Sequence, residues 1–155
     1  MYGRILVPVD GSKTSLKGLK EALRIARACG AKLCLVHVVD QSLALRDSAF
    51  AFGTEHILGM LKSGGEKALQ SALALAAKQG VRAEHVLVES NKGRVADVVV
   101  AQARKWRADL LVLGTHGRRG ISHLLLGSDA ELVVRLSPVP VLLVRGAGAA
   151  GRGRH

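Results

Sequence analysis

The sequence predicts an α/β fold: a single doubly wound, five-stranded parallel sheet, with helices on both faces. Three observations predict it. Short Val- and Leu-rich runs alternate strictly with longer amphipathic ones, and most of the short runs are apolar at successive positions, as strands covered on both faces are. The 155 residues, 48% hydrophobic but only 3% aromatic, suffice for one core of small branched side chains. Strict alternation resolves into right-handed crossovers onto one sheet.

The elements follow in order. "RILVPV" (4–9) is the first strand. A helix over 13–29 places Leu16, Leu19, Leu23 and Ala26 on one face and stops at Gly30, with Ser12 as candidate N-cap. "KLCLVHVV" (32–39) is the second strand, and residues 40–53 after it form the longest connection without a periodic pattern. A helix over 54–79 carries Ile57, Leu61, Ala68, Ala72 and Leu75 and ends at Gly80. In "RAEHVLVE" (82–89), Arg82 and Glu84 interrupt the apolar run, which suits a sheet edge. A helix over 94–106 carries Val95, Val98, Val99 and Trp106, and "DLLVLG" (109–114) is the fourth strand. The last helix, 128–136, opens at Gly127-Ser128 and stops before Pro138, and "VPVLLV" (139–144) completes the sheet. Residues 1–145 are the expected domain. The Gly/Ala/Arg stretch 146–155 has no core-forming pattern and is expected to be disordered.

A formal net charge of +11 favours anionic partners without choosing among them. Lys13, Lys17, Lys20, Arg24 and Arg27 align on one side of the first helix, with Glu21 as its only acid. A solvated face accounts for this stripe, and a dock for an acidic protein or nucleic acid is the sharper alternative; nucleic acid is not the expected partner. Cys29 and Cys34 in a chain that begins directly with a strand, without a leader pattern, indicate a cytoplasmic protein with reduced thiols. The apolar runs are too short to span a membrane.

In open α/β sheets ligands sit beyond the carboxyl ends of the strands, where strand order reverses, and in the expected order 3-2-1-4-5 the first and fourth strands are neighbours at that reversal. Two loops there are specialised: "VDGS" after the first strand and "GTHGRRGISHLLLGS" (114–128) after the fourth. Gly114 and Gly117 allow sharp turns and close approach of backbone to a ligand. Gly127 and Ser128 open a helix whose free amides favour an anion, and Arg118 and Arg119 add positive charge beside it. This composition describes a phosphate cradle, although a surface loop with solvated arginines has the same spacing. Neither G-x-x-x-x-G-K-[ST] nor a G-x-G-x-x-G after the first strand is present, and the scarcity of aromatics argues against flavin. His116 and His123 flank the loop without a set of metal ligands at suitable spacing. His37 reads as a satisfied core histidine.

From "ILVPVDGS" through "ADLLVLGTHGRRG" to "LLLGSDAELVVRLSPVPVLLV", the chain resembles the universal stress proteins. The pattern G-x2-G-x9-G-[ST], met by Gly114, Gly117, Gly127 and Ser128, is similar to that of their ATP-binding branch. The resemblance implies that Pro8, Val9 and Asp10 border the adenosine and that the Val38 main chain meets the adenine. It places Gly114 by the ribose, and Gly117, Gly127 and Ser128 around the phosphates. It implies ATP as ligand, or AMP or ADP, with Mg²⁺, and a homodimer through the last strand that acts as a nucleotide-dependent stress-response switch on an unknown protein partner. Asp129, directly after Ser128, either favours the helix N-terminus or helps hold Mg²⁺. No catalytic residue or protein metal site is expected. Slow ATP hydrolysis, an ATP-using hydrolase or nucleotidyl transferase, and a nucleotide-independent adaptor are the competing functions.

Overall fold

The computed structural model describes residues 1–42, 53–115 and 128–146. Nine elements alternate along the chain: β1 (Arg4–Pro8), α1 (Lys13–Cys29), β2 (Lys32–Asp40), α2 (Thr54–Lys78), β3 (Ala83–Ser90), α3 (Val95–Trp106), β4 (Leu110–Gly114), α4 (Ser128–Leu136) and β5 (Val141–Val144). The strands form one sheet in the order β3-β2-β1-β4-β5, with every pair parallel, as the sequence predicts. Order reverses between β1 and β4, where Leu6 pairs with Leu111 and β2 pairs with β1 on the other side.

Successive strand residues point to opposite faces, and each face carries its own core. Ile5, Val7, Leu33, Leu35, Leu110 and Val112 pack under α1 and α2, which contribute Leu19, Ala22, Leu23, Leu69, Ala72 and Ala76. Leu6, Cys34, Val36, Leu111 and Leu113 pack under α3 and α4, which contribute Val99, Val100, Ala103, Trp106 and Val133. The edge position of β3 explains its pattern, since Glu84, His85 and Glu89 are exposed.

Helix ends follow local chemistry. The Ser12 side chain accepts from the Ser15 amide and starts α1, and Gly30, at φ 70°, ends it in the left-handed region. Arg107 ends α3 in the same conformation without being glycine. Asp109, just before β4, accepts on its carboxylate from the amides of Gly3 and Arg4, at 2.9 and 3.0 Å, and donates its own amide to the Arg4 carbonyl. Pro140 keeps β5 shorter than expected, leaving only its carbonyl to accept from Leu111.

Leu16 departs from its expected place in the core: it is 42% exposed. It lines an open hollow between α1 and α2 instead of packing into the core. Of the basic stripe on α1, Lys13, Lys20, Arg24 and Arg27 are exposed and Lys17 is half-buried. Arg24 pairs with Glu21. Among the described residues no helix is long and apolar enough to cross a membrane. The expected disordered tail lies outside the described residues from position 147 onward, as do residues 43–52 of the long connection.

Candidate functional site

The carboxyl ends of β1 and β4 meet at the reversal of strand order, and α1 starts between them. Val9 extends the ladder one residue past β1, its amide donating to the Val36 carbonyl at 2.8 Å. The chain then leaves the sheet at Asp10. There the Val9–Asp10 peptide is held on both sides by side chains from other elements. The Val9 carbonyl meets His37 Nδ1 of β2 at 2.7 Å, and the Asp10 amide donates to Ser15 Oγ of α1 at 3.1 Å. Asp10 in turn accepts the Ser12 amide on Oδ1 at 2.8 Å, closing a tight turn around Gly11, whose φ of 82° suits glycine. Asp10 is thereby half-buried with its carboxylate fixed at the rim of the crevice.

Gly114, the last residue of β4, lies three residues beyond the Leu6–Leu111 pair, level with Val9. A β-carbon on Gly114 would collide with the Thr14 carbonyl, and one on Gly18 would sit 2.8 Å from the Gly114 amide. The first turns of α1 thus rest directly on the end of β4 because both contact residues are glycines. Thr115, next in the chain, is 2% exposed and donates its amide to the Val144 carbonyl, but its Oγ1 has no hydrogen-bond partner among the described residues.

A hollow of about 370 Å³ opens between the Asp10 turn and α2, lined among others by Val9, Asp10, Ser12, Leu16, Lys67 and Ser71. Apolar side chains, Leu16 among them, line it together with hydroxyls and one ammonium group. Val38 lies in the part of β2 that outruns β1 and is half-buried against the α3 side. Because α4 follows β4 and returns antiparallel to it, Ser128 stands at the carboxyl end of the sheet, exposed at the helix N-terminus. Asp129 and Glu131 occupy the same first turn, where the helix dipole favours acids.

The structure therefore brings Val9, Asp10 and Gly114 around the first turn of α1, with Pro8 directly before them. Gly117, Arg118 and Gly127, together with His116, Arg119 and His123, lie outside the described residues. Among the described residues no group of three or more His, Cys, Asp or Glu side chains is arranged to hold a metal. Sequence reading did not single out Ser15, Thr14 or Gly65. Only Ser15 carried a signal, standing three residues after the N-cap, where a reciprocal capping partner belongs.

Fold and site together define an open, doubly wound α/β domain with its crevice at the topological switch point. The family model described as "Universal stress protein family" matches residues 1–145. The universal stress protein MJ0531 of Methanocaldococcus jannaschii is 37% identical over 145 residues, covering 94% of this chain and 83% of that one. A solved universal stress protein family member from Burkholderia pseudomallei superposes with a TM-score of 0.76 at 31% identity, covering 92% of this chain and 96% of that one. A universal stress protein solved in complex with cAMP has a TM-score of 0.65 at 28% identity, covering 93% and 97% of the respective chains. The chain belongs to the universal stress protein family.

Proposed function

We propose that this protein binds an adenine nucleotide, ATP with Mg²⁺ by preference, at the carboxyl ends of β1 and β4. We infer that binding changes its homodimer or its affinity for a protein partner, so that the chain acts as a nucleotide-dependent switch without a dedicated catalytic apparatus. One observation carries this reading: the Asp10 turn and Gly114 stand side by side at the reversal of strand order, in a chain that continues from Gly114 into the glycine and serine pattern ending at Gly127-Ser128. Pro8, Val9 and Asp10 border the nucleoside in this reading, and the Val38 main chain meets the base. Gly114 lies by the ribose, while Gly117, Arg118, Gly127 and Ser128 surround the phosphates. The cAMP complex of a relative supports the adenine part of the proposal.

A carboxylate at the crevice rim suits a ribose hydroxyl as hydrogen-bond acceptor, and the α4 N-terminus suits phosphate. The reading assigns no phosphoryl-transfer step to the site, and among the described residues no group of three or more His, Cys, Asp or Glu side chains is arranged to hold a metal. Calorimetric titration with ATP and Mg²⁺, followed by competition with AMP and cAMP, tests the reading. About one nucleotide per chain is expected, and absence of saturable heat with all three ligands would leave the adaptor reading in its place. Phosphate release over hours distinguishes the enzyme alternative; intact ATP is the expected result.

A further inference from the structure

His37 is more than a core histidine whose hydrogen bond is satisfied. Its ring reaches from β2 past the end of β1 and packs against α2 where the Gly65 side chain would otherwise be: a β-carbon at position 65 would overlap ring atom Cδ2 and sit 2.7 Å from Nε2. Gly65 is buried within α2, where glycine is unfavourable relative to alanine, so the helix accommodates the ring at a cost to its own propensity. The ring's other nitrogen faces the Val9 carbonyl at 2.7 Å, and because a carbonyl only accepts, Nδ1 carries the proton. Val9 is the last residue whose amide joins the sheet, so no strand partner remains for the peptide that places Asp10.

From this geometry we propose that His37 is a positioning residue for the nucleotide site: through Nδ1–H it fixes the Val9–Asp10 peptide, and with it the carboxylate at the crevice rim. The proposal rests on the nucleotide-binding reading for its functional consequence. Ser15 holds the amide side of the same peptide and His37 the carbonyl side, so the turn is clamped between α1 and β2. Without the histidine, the carbonyl can rotate toward water and Asp10 loses one of the restraints that pre-organise it.

The test compares His37→Asn, His37→Leu and His37→Gln. Asparagine presents an amide N–H at the same number of bonds from the backbone as Nδ1, leucine fills space without a donor, and glutamine displaces its donor by one bond. AMP affinity of the Asn variant is expected within about threefold of the parent, with the Leu and Gln variants weakened roughly tenfold, the scale of one lost hydrogen bond. Amide exchange at Asp10, read on the ligand-free proteins, separates this proposal from the nucleotide reading. Exchange is expected to quicken about tenfold in the Leu and Gln variants and to stay near the parent in the Asn variant. If no variant and no parent binds nucleotide, the function fails while the exchange pattern still decides the positioning role. A folded Leu variant with parental Asp10 exchange and parental affinity overturns it; if that variant does not fold, an Asn variant no better than Gln does the same.

Discussion

Substituting alanine for Gly114 places a β-carbon against the Thr14 carbonyl. A backbone atom cannot swing aside as a side-chain tip does, so α1 must lift from the end of β4. Gly114→Ala is expected to lower stability by about 1–3 kcal/mol in urea unfolding, the usual cost of overpacking, before any ligand is added. An unchanged midpoint would mean that this close approach does not constrain the fold. The glycine itself was legible in the sequence, but the reason attached to it there was approach of a ligand. Its contact with Thr14 spans almost the whole first four strands, and no periodicity carries such information. Cys34 makes a second case. It is fully buried in β2, and burial, reinforced by the charge of Glu84, pushes its thiol from 9.0 up to about 11. The folded state therefore holds its proton more tightly than the unfolded chain. That contribution is intact below the unfolded pKa and is lost as pH rises from about 9 to about 11, to a total of roughly 2–3 kcal/mol. Cys34→Ala costs stability through its cavity at neutral pH, yet its pH dependence across that window should be shallower than the parent's; equal slopes would refute the assignment to this thiol.

Among the helices, α2 is the one whose sequence contends with its structure. It contains Gly59, Gly64 and Gly65, and its buried residues begin only at Gly65. The three glycines differ in kind. A β-carbon at Gly59 or Gly64 would meet nothing within 4 Å, whereas one at Gly65 would meet the His37 ring. Gly59→Ala and Gly64→Ala should each raise stability by about 0.5–1 kcal/mol, while Gly65→Ala should lower it, and thermal or denaturant midpoints of the three variants check the ordering. A uniform gain would show that His37 yields freely. From the sequence alone these positions look alike, because propensity registers a glycine without registering what faces it. By contrast the limits of α1 were readable, since the Ser12 cap and the Gly30 stop are local chemistry. Leu16 was misplaced for a related reason: helical periodicity assigns a face but cannot say that the gap between α1 and α2 stays open beside part of it.

At the scale of the molecule, the doubly wound parallel sheet was readable from strict alternation, whereas right-handed crossovers permit the observed strand order without singling it out. The homodimer expected through the last strand depends on which backbone groups an edge leaves free. β5 is such an edge: it pairs with β4 on one side and with no other strand among those described, and all four of its residues remain half-buried. The carbonyls of Pro140 and Val144 accept from β4 and its continuation. Within a strand the amide and carbonyl of one residue point the same way, and neighbours alternate. Leu142 therefore faces β4, while Val141 and Leu143 direct their amides outward. An apolar edge with free outward donors invites pairing with a second copy, which is the basis for proposing the dimer there. Proline at 143 removes one outward amide without removing a bond to β4. Leu143→Pro is expected to shift the protein from twice the chain mass to the single-chain mass in sedimentation velocity at micromolar concentration, with the far-ultraviolet spectrum of the fold retained. A parent that sediments as a single chain, or a folded proline variant that still sediments as a dimer, would place self-association elsewhere, and the nucleotide switch would then have to act through a surface other than β5.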